Sequence, residues 1–531
     1  MPKYDYIIVG AGSAGCVLAN RLSEDPGNSV LLLEAGGPDK KLEIKIPGGY
    51  AKLHKSEVDW GFWTEPQEHL NGRKLYLPRG KALGGSSSTN AMAYVRGNRA
   101  DYDHWAELGN EGWDFDSLLP YFKKSEHNEN FQNDFHGQNG PMNITFLKDQ
   151  RTPFGEAFVK ACEEVGIPAT KDYNGKSQLG ASLLQFSMKN SFRHSTAAAF
   201  LKPVLSRANL EVRTRAQVSK ILLKNDEAEG VEFFTKKGKE TALASKEVIL
   251  SAGSFQSPQL LMLSGIGHPD ELKNVGIETK KAIPGVGKNL QDHLFFPCSA
   301  SSQGQNGLNH ELSLLNQLIG TVQILTTGKG ALTAGPLEAT AFFDTKGGNE
   351  VDFQFHFVPL QTGEGYSTDF YDIDTFPRKD GFTILPSLIQ PKSVGFLKLV
   401  SSDPKAPPLI QPNFLSHPDD WETMLRGTKK AMEALRANAF GPYRSKILSP
   451  LDESDEGIME HIKKSVETIY HPIGTCKMGK DEMAVVDDQL RVHGISKLRV
   501  VDASIMPKIV SGNTNAASIM IGEKGADLIL S

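Results

Sequence analysis

The stretch YIIVGAGSAG, residues 6 to 15, decides how this chain begins to fold. Its apolar half, Tyr6 to Val9, is typical of a strand buried in a parallel sheet. Gly10, Gly12 and Gly15 then fit the pattern G-x-G-x-x-G. Glycines at this spacing allow a tight turn and a close approach to a pyrophosphate, which the following helix N-terminus favours. The stretch therefore predicts the first turn of a dinucleotide-binding sheet.

The residues that follow complete this pattern. Ala14, Leu18 and Leu22 are spaced by four and predict one face of a helix. The run SVLLLEAG predicts a second strand, which ends at Glu34. An acid here can accept a hydrogen bond from a ribose hydroxyl, and it argues against a 2′-phosphate. A glycine motif alone is weak evidence, but strand, turn, helix, strand and acid in register predict a site for NAD or FAD.

Composition limits the classes of protein that fit. The chain has 531 residues, 39% of them hydrophobic and 23% charged, which is typical of a globular protein with two or more lobes. Its net charge of −5 gives no electrostatic reason to expect nucleic acid. The 4 cysteines lie far apart, so neither disulfides nor a metal site is predicted. With no signal peptide and no transmembrane segment apparent, we expect a cytoplasmic location.

Residues 216 to 252 and the turn that follows them bear on which dinucleotide is bound. AQVSKILL and EGVEFFT alternate like strands, KKGK predicts a turn, and EVILSAGS predicts a buried strand that ends in Ala252-Gly253-Ser254. Many FAD-binding proteins use such a meander. An ordinary sheet with a turn of small residues fits these residues equally well.

Four longer runs resemble a known family. They are PRGKALGGSSSTNAMAYVRG (78–97), GSFQSPQLLMLSGIG (253–267), YHPIGTCKMG (470–479) and the C-terminal LRVVDASIMPKIVSGNTNAASIMIGEKGADLI. In this order they resemble the signatures of the glucose–methanol–choline (GMC) oxidoreductases, which are FAD-dependent alcohol-oxidising enzymes. The resemblance extends from Tyr4 to Leu530 and, with NLQDH at 289–293, is closest to the choline and aliphatic-alcohol dehydrogenases.

The resemblance implies an α/β fold with a Rossmann-like FAD-binding domain and a substrate-binding lobe built on an antiparallel sheet. The FAD-binding domain is expected to be discontinuous, with residues 1–150, 205–300 and 476–531, and the substrate lobe to comprise 151–204 and 301–475. VDFQFHFVP and SVGFLKLVSS alternate like strands and are assigned to the antiparallel sheet.

The resemblance also implies which residues contact FAD. Gly84 and Gly85 would let backbone amides lie against a flat ring, and Asn90 would offer its amide to the isoalloxazine or else cap a helix that begins at Ala91. Asp502 follows a buried strand and needs a ligand or a helix N-terminus nearby. Thr89 stands where some members carry the histidine that attaches FAD, so FAD is expected to be non-covalent. The expected cofactor-binding residues are Gly10, Gly12, Ser13, Ala14, Gly15, Glu34, Ala35, Trp60, Leu83, Gly84, Gly85, Ser87, Asn90, Ala91, Met92, Ala93, Val218, Ala252, Gly253, Asp502, Ala503, Thr514, Asn515 and Ala516.

His471, in YHPIGT, is the candidate catalytic base. Taken alone, such a histidine is more often a core residue, and a zinc site with Cys476 would lack further ligands. Oxidising an alcohol requires a group that accepts the hydroxyl proton, and a neutral imidazole suits this near pH 7. In the family, the matching histidine lies beside flavin N5 and is paired with a His or Asn about 40 residues later. The resemblance therefore implies a catalytic pair of His471 and Asn515.

Several features leave alternatives open. The loop 362–381 could cover the active site, and its Asp369, Asp372 and Asp374 could attract a cation such as choline or simply face solvent. The helix predicted at 310–325 has Leu312, Leu315, Ile319 and Val322 on one face, which fits core packing or peripheral contact with a membrane. The function expected is oxidation of a primary alcohol, with choline dehydrogenase or a hydroxynitrile-lyase-type flavoprotein as alternatives. The electron acceptor, whether oxygen, a quinone or another carrier, is not encoded in these motifs.

Overall fold

The computed structural model describes residues 2–148 and 151–531, and its first sheet is built around the N-terminal strand. That strand, Lys3–Val9, pairs in parallel with Val30–Glu34 on one side and with Gly238–Leu250 on the other. Every side chain of Val30–Glu34 is buried, which explains the apolar run from Val30 to Leu33. A helix connects the first two strands, so the predicted order of strand, glycine turn, helix and strand is confirmed.

Distant parts of the chain complete the first sheet. Leu210–Thr214 pairs in parallel with the second strand, and Leu498–Val500 pairs in parallel with Gly238–Leu250. The predicted meander is present as the antiparallel strands Gln217–Lys224 and Glu227–Thr235. The parallel strands end at one edge of the sheet, where ligands bind in folds of this kind.

The second sheet is antiparallel throughout and confirms the expected fold class. Its members come from both sides of residue 300, where one expected FAD-binding segment ends. Another expected limit, residue 150, lies outside the described residues. The division into domains stays a prediction. The strands of this sheet are Gly180–Leu183, Leu294–Phe295, Cys298–Ser302, Ala339–Phe343, Phe353–Val358, Gly381–Leu388, Arg444–Ser449 and Glu467–Thr468.

One strand assignment was wrong. VDFQFHFVP supplies Phe353–Val358 to the second sheet as predicted, but SVGFLKLVSS supplies only Phe396–Lys398, which pairs with Leu409–Gln411 in a separate ribbon. The backbone N–H of Leu397 donates to the carbonyl of Gly287 at 2.6 Å. Alternation predicts a strand but not its partner, and this one is held against residues near 287.

The remaining elements are short ribbons and helices. The ribbons are Phe62–Trp63 with Tyr76–Leu77, Met188–Lys189 with Phe192–Arg193, Ile266–Gly267 with Lys281–Ala282, and the three strands Glu126–Asn128, Met142–Phe146 and Gln185–Phe186. The α-helices of the described residues are α1 (Ser13–Leu22), α2 (Leu42–Lys45), α3 (Arg99–Glu107), α4 (Phe115–Ser125), α5 (Pro153–Glu164), α6 (Gly253–Leu263), α7 (Pro269–Asn274), α8 (Leu314–Thr327), α9 (Pro418–Arg436), α10 (Asp455–Ser465) and α11 (Asn515–Leu530).

The first and last helices pack against each other. The guanidinium of Arg21 on α1 donates to both carboxylate oxygens of Glu523 on α11, at 2.8 and 2.7 Å, and the Glu523 side chain is fully buried. A buried charge is tolerated when it is paired in this two-point geometry. A hydroxyl of Ser13 also donates to Asn515 Oδ1 at 2.6 Å. The N-termini of the two helices therefore lie side by side.

The core-packing alternative for the apolar face of the helix predicted at 310–325 was wrong, because that face of α8 is exposed. Leu315, Ile319 and Val322 are exposed, and the helix packs inward through Gln317, Gly320 and Ile324. Of the helices that the structure describes, none combines the length and the apolar character needed to cross a membrane.

Candidate active site

A cavity of about 790 Å³ lies where the first sheet meets the second. Val9, Glu34 and Ser251, at the ends of three parallel strands, line it on one side, and Val358 and Leu385 of the antiparallel sheet line it on the other. The strand ends can therefore bind a nucleotide, and the antiparallel sheet lies opposite them, where a substrate would bind.

The cavity gathers most of the residues that were expected to bind cofactor. Five of them, Gly15, Leu83, Gly84, Ser87 and Ala516, do not line it. Those that line it are Gly10, Gly12, Ser13, Ala14, Glu34, Ala35, Trp60, Gly85, Asn90, Ala91, Met92, Ala93, Val218, Ala252, Gly253, Asp502, Ala503, Thr514 and Asn515, together with His471.

At two glycines the wall of the cavity is formed by backbone without side chains. Gly10 has φ +102°, and a Cβ added to it would lie 2.4 Å from the carbonyl oxygen of Ser251. Gly85 has φ +51°, and a Cβ there would lie 2.7 Å from Gly12 Cα. Neither position has room for a side chain, so backbone alone faces the cavity here, as a pyrophosphate or a flat ring requires.

Glu34 is held at the nucleotide end of the cavity. Its carboxylate accepts hydrogen bonds from the backbone N–H of Ala11 at 2.9 Å and of Gly36 at 2.7 Å. Burial raises the pKa of Glu34 to about 7, against the lowering effect of these two donors. A carboxylate oxygen has more than one lone pair, so Glu34 can still accept from a ribose hydroxyl.

Two helix N-termini open into the cavity. Helix α1 follows Gly12 and helix α11 follows Thr514; neither start has a side-chain cap or an acidic residue in its first turn. Free N–H groups and the positive end of the helix dipole favour negative charge at both places. The residues present therefore fit a dinucleotide such as FAD, with its pyrophosphate at α1.

The side chains of Asp502 and Asn90 both accept hydrogen bonds from other residues of the chain. The carboxylate of Asp502 accepts from Gly253 N at 2.9 Å and from the Ser257 hydroxyl at 2.6 Å, at the start of α6, which confirms the expected helix N-terminus beside it. The alternative role of Asn90 as a helix cap was wrong because no helix begins at Ala91. Asn90 Oδ1 instead accepts from Met92 N at 3.0 Å.

His471 is fixed by a buried carboxylate. Asp292 accepts from the backbone N–H of His471 at 2.7 Å, from that of His293 at 2.9 Å, and from the hydroxyl of Thr468. Tyr470, just before His471, has φ +68°, a conformation that costs free energy in a residue with a side chain. Its N–H donates to Thr468 Oγ1 at 2.9 Å, so these contacts stabilise the strained turn.

The proton positions on His471 follow from its neighbours. His293 Nε2 lies 3.0 Å from the carbonyl of Ile389, which can only accept, so His293 Nε2 carries a proton. With His293 neutral, its Nδ1 is an acceptor, and it lies 3.1 Å from His471 Nδ1. His471 must then be protonated on Nδ1, which leaves the lone pair on Nε2.

Burial keeps both histidines neutral. It lowers the pKa of His293 to about 3 and holds the pKa of His471 well below its ordinary value. The neighbouring His293 and His356 and the charge of Arg79 lower the pKa of His471 further. An imidazole that stays neutral near pH 7 can accept a proton there.

The side chain that meets His471 Nε2 differs from the expected one. Asn513 Nδ2 lies 3.2 Å from it, whereas Asn515 accepts from Ser13 at the start of α11. Asn513 was missed because GNTN contains two asparagines, and only the first precedes the helix. Asn513 Oδ1 is buried and has no partner among the described residues.

The far wall of the cavity is apolar. Loop 362–381 turns Phe370, Ile373 and Phe376 into it, while Asp369 forms an ion pair with Lys55 at 3.3 Å. The acids of this loop are therefore not on the cavity side. The apolar residues that line this wall are Phe295, Leu308, Leu312, Leu332, Leu337, Val358, Leu360, Phe370, Ile373, Phe376 and Leu385.

The fold and the cavity define a nucleotide-binding architecture, and comparison with known proteins identifies the family. The GMC oxidoreductase family models match residues 4–295 (N-terminal) and 391–522 (C-terminal). An alcohol dehydrogenase [acceptor] from Pseudomonas putida is 42% identical over 99% of this chain and 96% of its own length. An oxygen-dependent choline dehydrogenase from Sinorhizobium fredii is also 42% identical, over 99% and 95%.

Solved structures agree. A formate oxidase from Aspergillus oryzae, whose structure concerns FAD modification, superposes with a TM-score of 0.91 at 28% identity, over 99% of this chain and 98% of that one. This chain belongs to the GMC oxidoreductases, and it is an enzyme of the FAD-dependent class that acts on alcohol groups.

Asp292 offers a test of how His471 is held. Asp292→Ala leaves two buried N–H groups and a hydroxyl without an acceptor, so we expect it to destabilise the fold by about 1–3 kcal/mol. Asp292→Asn keeps one oxygen for the N–H groups and an NH2 for Thr468, and should cost less than half as much. Urea unfolding of both variants measures this difference. Equal losses would show that the carboxylate is not what holds the turn.

Proposed function

We propose that this protein oxidises a primary alcohol to the aldehyde, with FAD as hydride acceptor and His471 as the general base. The observation that carries the proposal is the lone pair on His471 Nε2, which faces the cavity 3.2 Å from Asn513 Nδ2. A group that accepts a proton and a group that donates a hydrogen bond thus stand side by side, as the oxygen of a reacting alcohol requires.

In this proposal the alcohol oxygen lies on the cavity side of His471 Nε2 and Asn513 Nδ2, within hydrogen-bond distance of both, and replaces their direct contact. His471 Nε2 accepts the hydroxyl proton, and Asn513 Nδ2 donates to the oxygen as negative charge develops on it. The role first assigned to Asn515 thus passes to Asn513, and Asn515 is left on the cofactor side. When bound, FAD supplies the electron-accepting chemistry, taking the hydrogen of the carbinol carbon as hydride.

We also propose that the cofactor is held without a covalent bond. Thr89 lines the cavity at the position that the resemblance associates with attachment, and a threonine hydroxyl is a much weaker nucleophile than an imidazole. We expect acid precipitation of the yellow protein to leave all of the flavin in the supernatant. Flavin that stays with the pellet would contradict this.

The apolar far wall favours an alcohol with a hydrocarbon chain. Each buried methylene contributes about 0.8 kcal/mol, which corresponds to about fourfold in affinity. Choline remains the second candidate because Glu311 lines the same part of the cavity, where its carboxylate could face a quaternary ammonium group. Glu311 lies 3.4 Å from His310, a partner that offsets its charge only when protonated. The cytoplasmic location stays a prediction.

Flavin bleaching tests the chemical roles. Under anaerobic conditions, an alcohol should bleach the flavin of the unaltered holoenzyme, and His471→Ala should slow this about 10²–10⁴-fold because no base remains. Asn513→Ala should slow it about 10–100-fold, since one hydrogen bond to the developing charge is lost. Stopped-flow absorbance measures both rates after FAD content has been matched.

Two controls accompany this experiment. Asn515→Ala should change FAD content more than the rate of bleaching. His461→Gln replaces a buried histidine outside the cavity that contacts the carbonyl of Pro297 at 2.8 Å, and it should leave the rate within about threefold. If Asn515→Ala, and not Asn513→Ala, slows bleaching, the assignment is reversed. A bound flavin that no alcohol bleaches, in a protein that cleaves cyanohydrins, would favour the lyase alternative.

Substrate choice has a separate test. From propanol to hexanol we expect kcat/KM to rise about fourfold per methylene, and Glu311→Gln should change these values less than about threefold. If choline is the substrate, Glu311→Gln should raise its KM at least about tenfold, since a charge pair worth about 1.4 kcal/mol is lost. Steady-state kinetics with both substrate classes decides between them. A flat dependence on chain length would contradict the apolar-chain proposal.

A further inference from the structure

Helix α8 presents its apolar face to the outside of the protein. Six of its large apolar side chains are between 54% and 75% exposed, and they occupy one continuous side of the helix. The opposite side is the one that packs, through Gln317, Gly320 and Ile324. The exposed residues are Leu314, Leu315, Leu318, Ile319, Val322 and Leu325. A helix in water normally has the reverse arrangement, so this face is built to be covered.

The inner side of α8 forms part of the wall of the active-site cavity. Gln317 lines the cavity, as does Leu332 in the 3₁₀ turn Ala331–Thr333 that follows the helix. A Cβ added to Gly320 would lie 3.1 Å from Leu332 Cγ, and one added to Gly48 would lie 2.7 Å from Leu332 Cδ2. The same few residues therefore separate the exposed apolar face from the cavity interior.

Three lysines lie on the segments next to α8. Residues 314–327 contain no charged side chain, and Lys329 follows them. Lys45 ends α2 and Lys52 lies in the 3₁₀ turn Pro47–Leu53, which packs against the turn at Ala331–Thr333. All three lysines are exposed and form no ion pair within residues 2–148 and 151–531. The acids on the same segments are Glu43 on α2 and Glu311 in the 3₁₀ turn His310–Leu312 before α8, so the lysines still outnumber the acids.

We propose that α8 is an interfacial helix that rests, apolar face down, on a lipid membrane with anionic headgroups. An uncharged apolar side with lysines at its margin is the pattern of helices that lie in the boundary between headgroups and acyl chains. With 14 residues, α8 is too short to cross the hydrocarbon layer. The arrangement places the cavity wall at the lipid surface, where an apolar alcohol would be concentrated.

The charges next to α8 indicate whether a membrane or a second copy of this chain covers the apolar face. A symmetric dimer formed through α8 would bring the same patch of each copy together, including its unpaired lysines. Those charges would repel each other across the contact, whereas anionic headgroups attract them. The charge pattern therefore favours lipid as the occupant of this face.

Vesicle co-sedimentation of the FAD-loaded protein tests the proposal. We expect binding to vesicles of phosphatidylcholine mixed with phosphatidylglycerol, and weaker binding to phosphatidylcholine alone. The triple variant Leu315→Gln, Leu318→Gln, Val322→Gln should lower partitioning at least about tenfold, because three apolar side chains no longer insert. Lys329→Gln should weaken binding to the anionic vesicles about fivefold and leave binding to neutral ones unchanged.

Leu451→Gln is the matched control, because Leu451 is 75% exposed, as is Leu314, but lies outside α8. It should bind vesicles like the unaltered protein. Turnover of a water-soluble alcohol without vesicles should be the same for all variants, which separates membrane docking from any failure of the proposed chemistry. The proposal is overturned if the unaltered holoenzyme does not sediment with either vesicle. It is equally overturned if sedimentation velocity shows a dimer that the triple variant dissociates while vesicle binding is absent.

Discussion

The arrangement of the active site depends on one buried carboxylate. Asp292 has little solvent around it, and burial raises its pKa to about 6, so it is stable as an anion only while several donors point at it. Two of those donors are the backbone N–H groups of His293 and His471. The carboxylate thereby places the two imidazoles in one fixed relation, and the carbonyl of Ile389 then determines which nitrogens carry protons. The backbone position of His471 therefore depends on Asp292, and its protonation depends on the carbonyl of Ile389.

The segments that meet at this site are hundreds of residues apart, and the first sheet explains how they come together. Parallel pairing sets the ends of Lys3–Val9, Gly238–Leu250 and Leu498–Val500 at one edge. The buried pair of Arg21 with Glu523 then fixes the final helix beside the first one. Since both helix starts are free of side-chain caps, the same packing that completes the core also leaves two positive dipole ends facing the cavity.

Local patterns predicted the nucleotide half of the molecule because its determinants are local. Strand, turn and helix between residues 3 and 34 each have their own periodicity. The predictions that differ from the structure concern features that depend on tertiary contacts. Two asparagines in GNTN differ only in which side of a helix start they occupy, so sequence could not separate Asn513 from Asn515. Periodicity predicted an apolar face on α8 but not whether this face points into the protein or out of it. Alternation predicted the strand Phe396–Lys398 but not the strand that it pairs with.

The cavity has two walls with different origins, and this bears on how substrates are chosen. The polar wall includes His471 and Asn513, and the buried carboxylate of Asp292 behind it determines the position of His471. The apolar wall comes from the antiparallel sheet, loop 362–381 and the inner side of α8, where side chains can vary without disturbing those contacts. Relatives named for an alcohol and for choline are each 42% identical to this chain, so overall identity cannot separate the two substrates. The proposal of a hydrocarbon-chain alcohol therefore rests on the second wall, where many apolar side chains stand against the single carboxylate of Glu311.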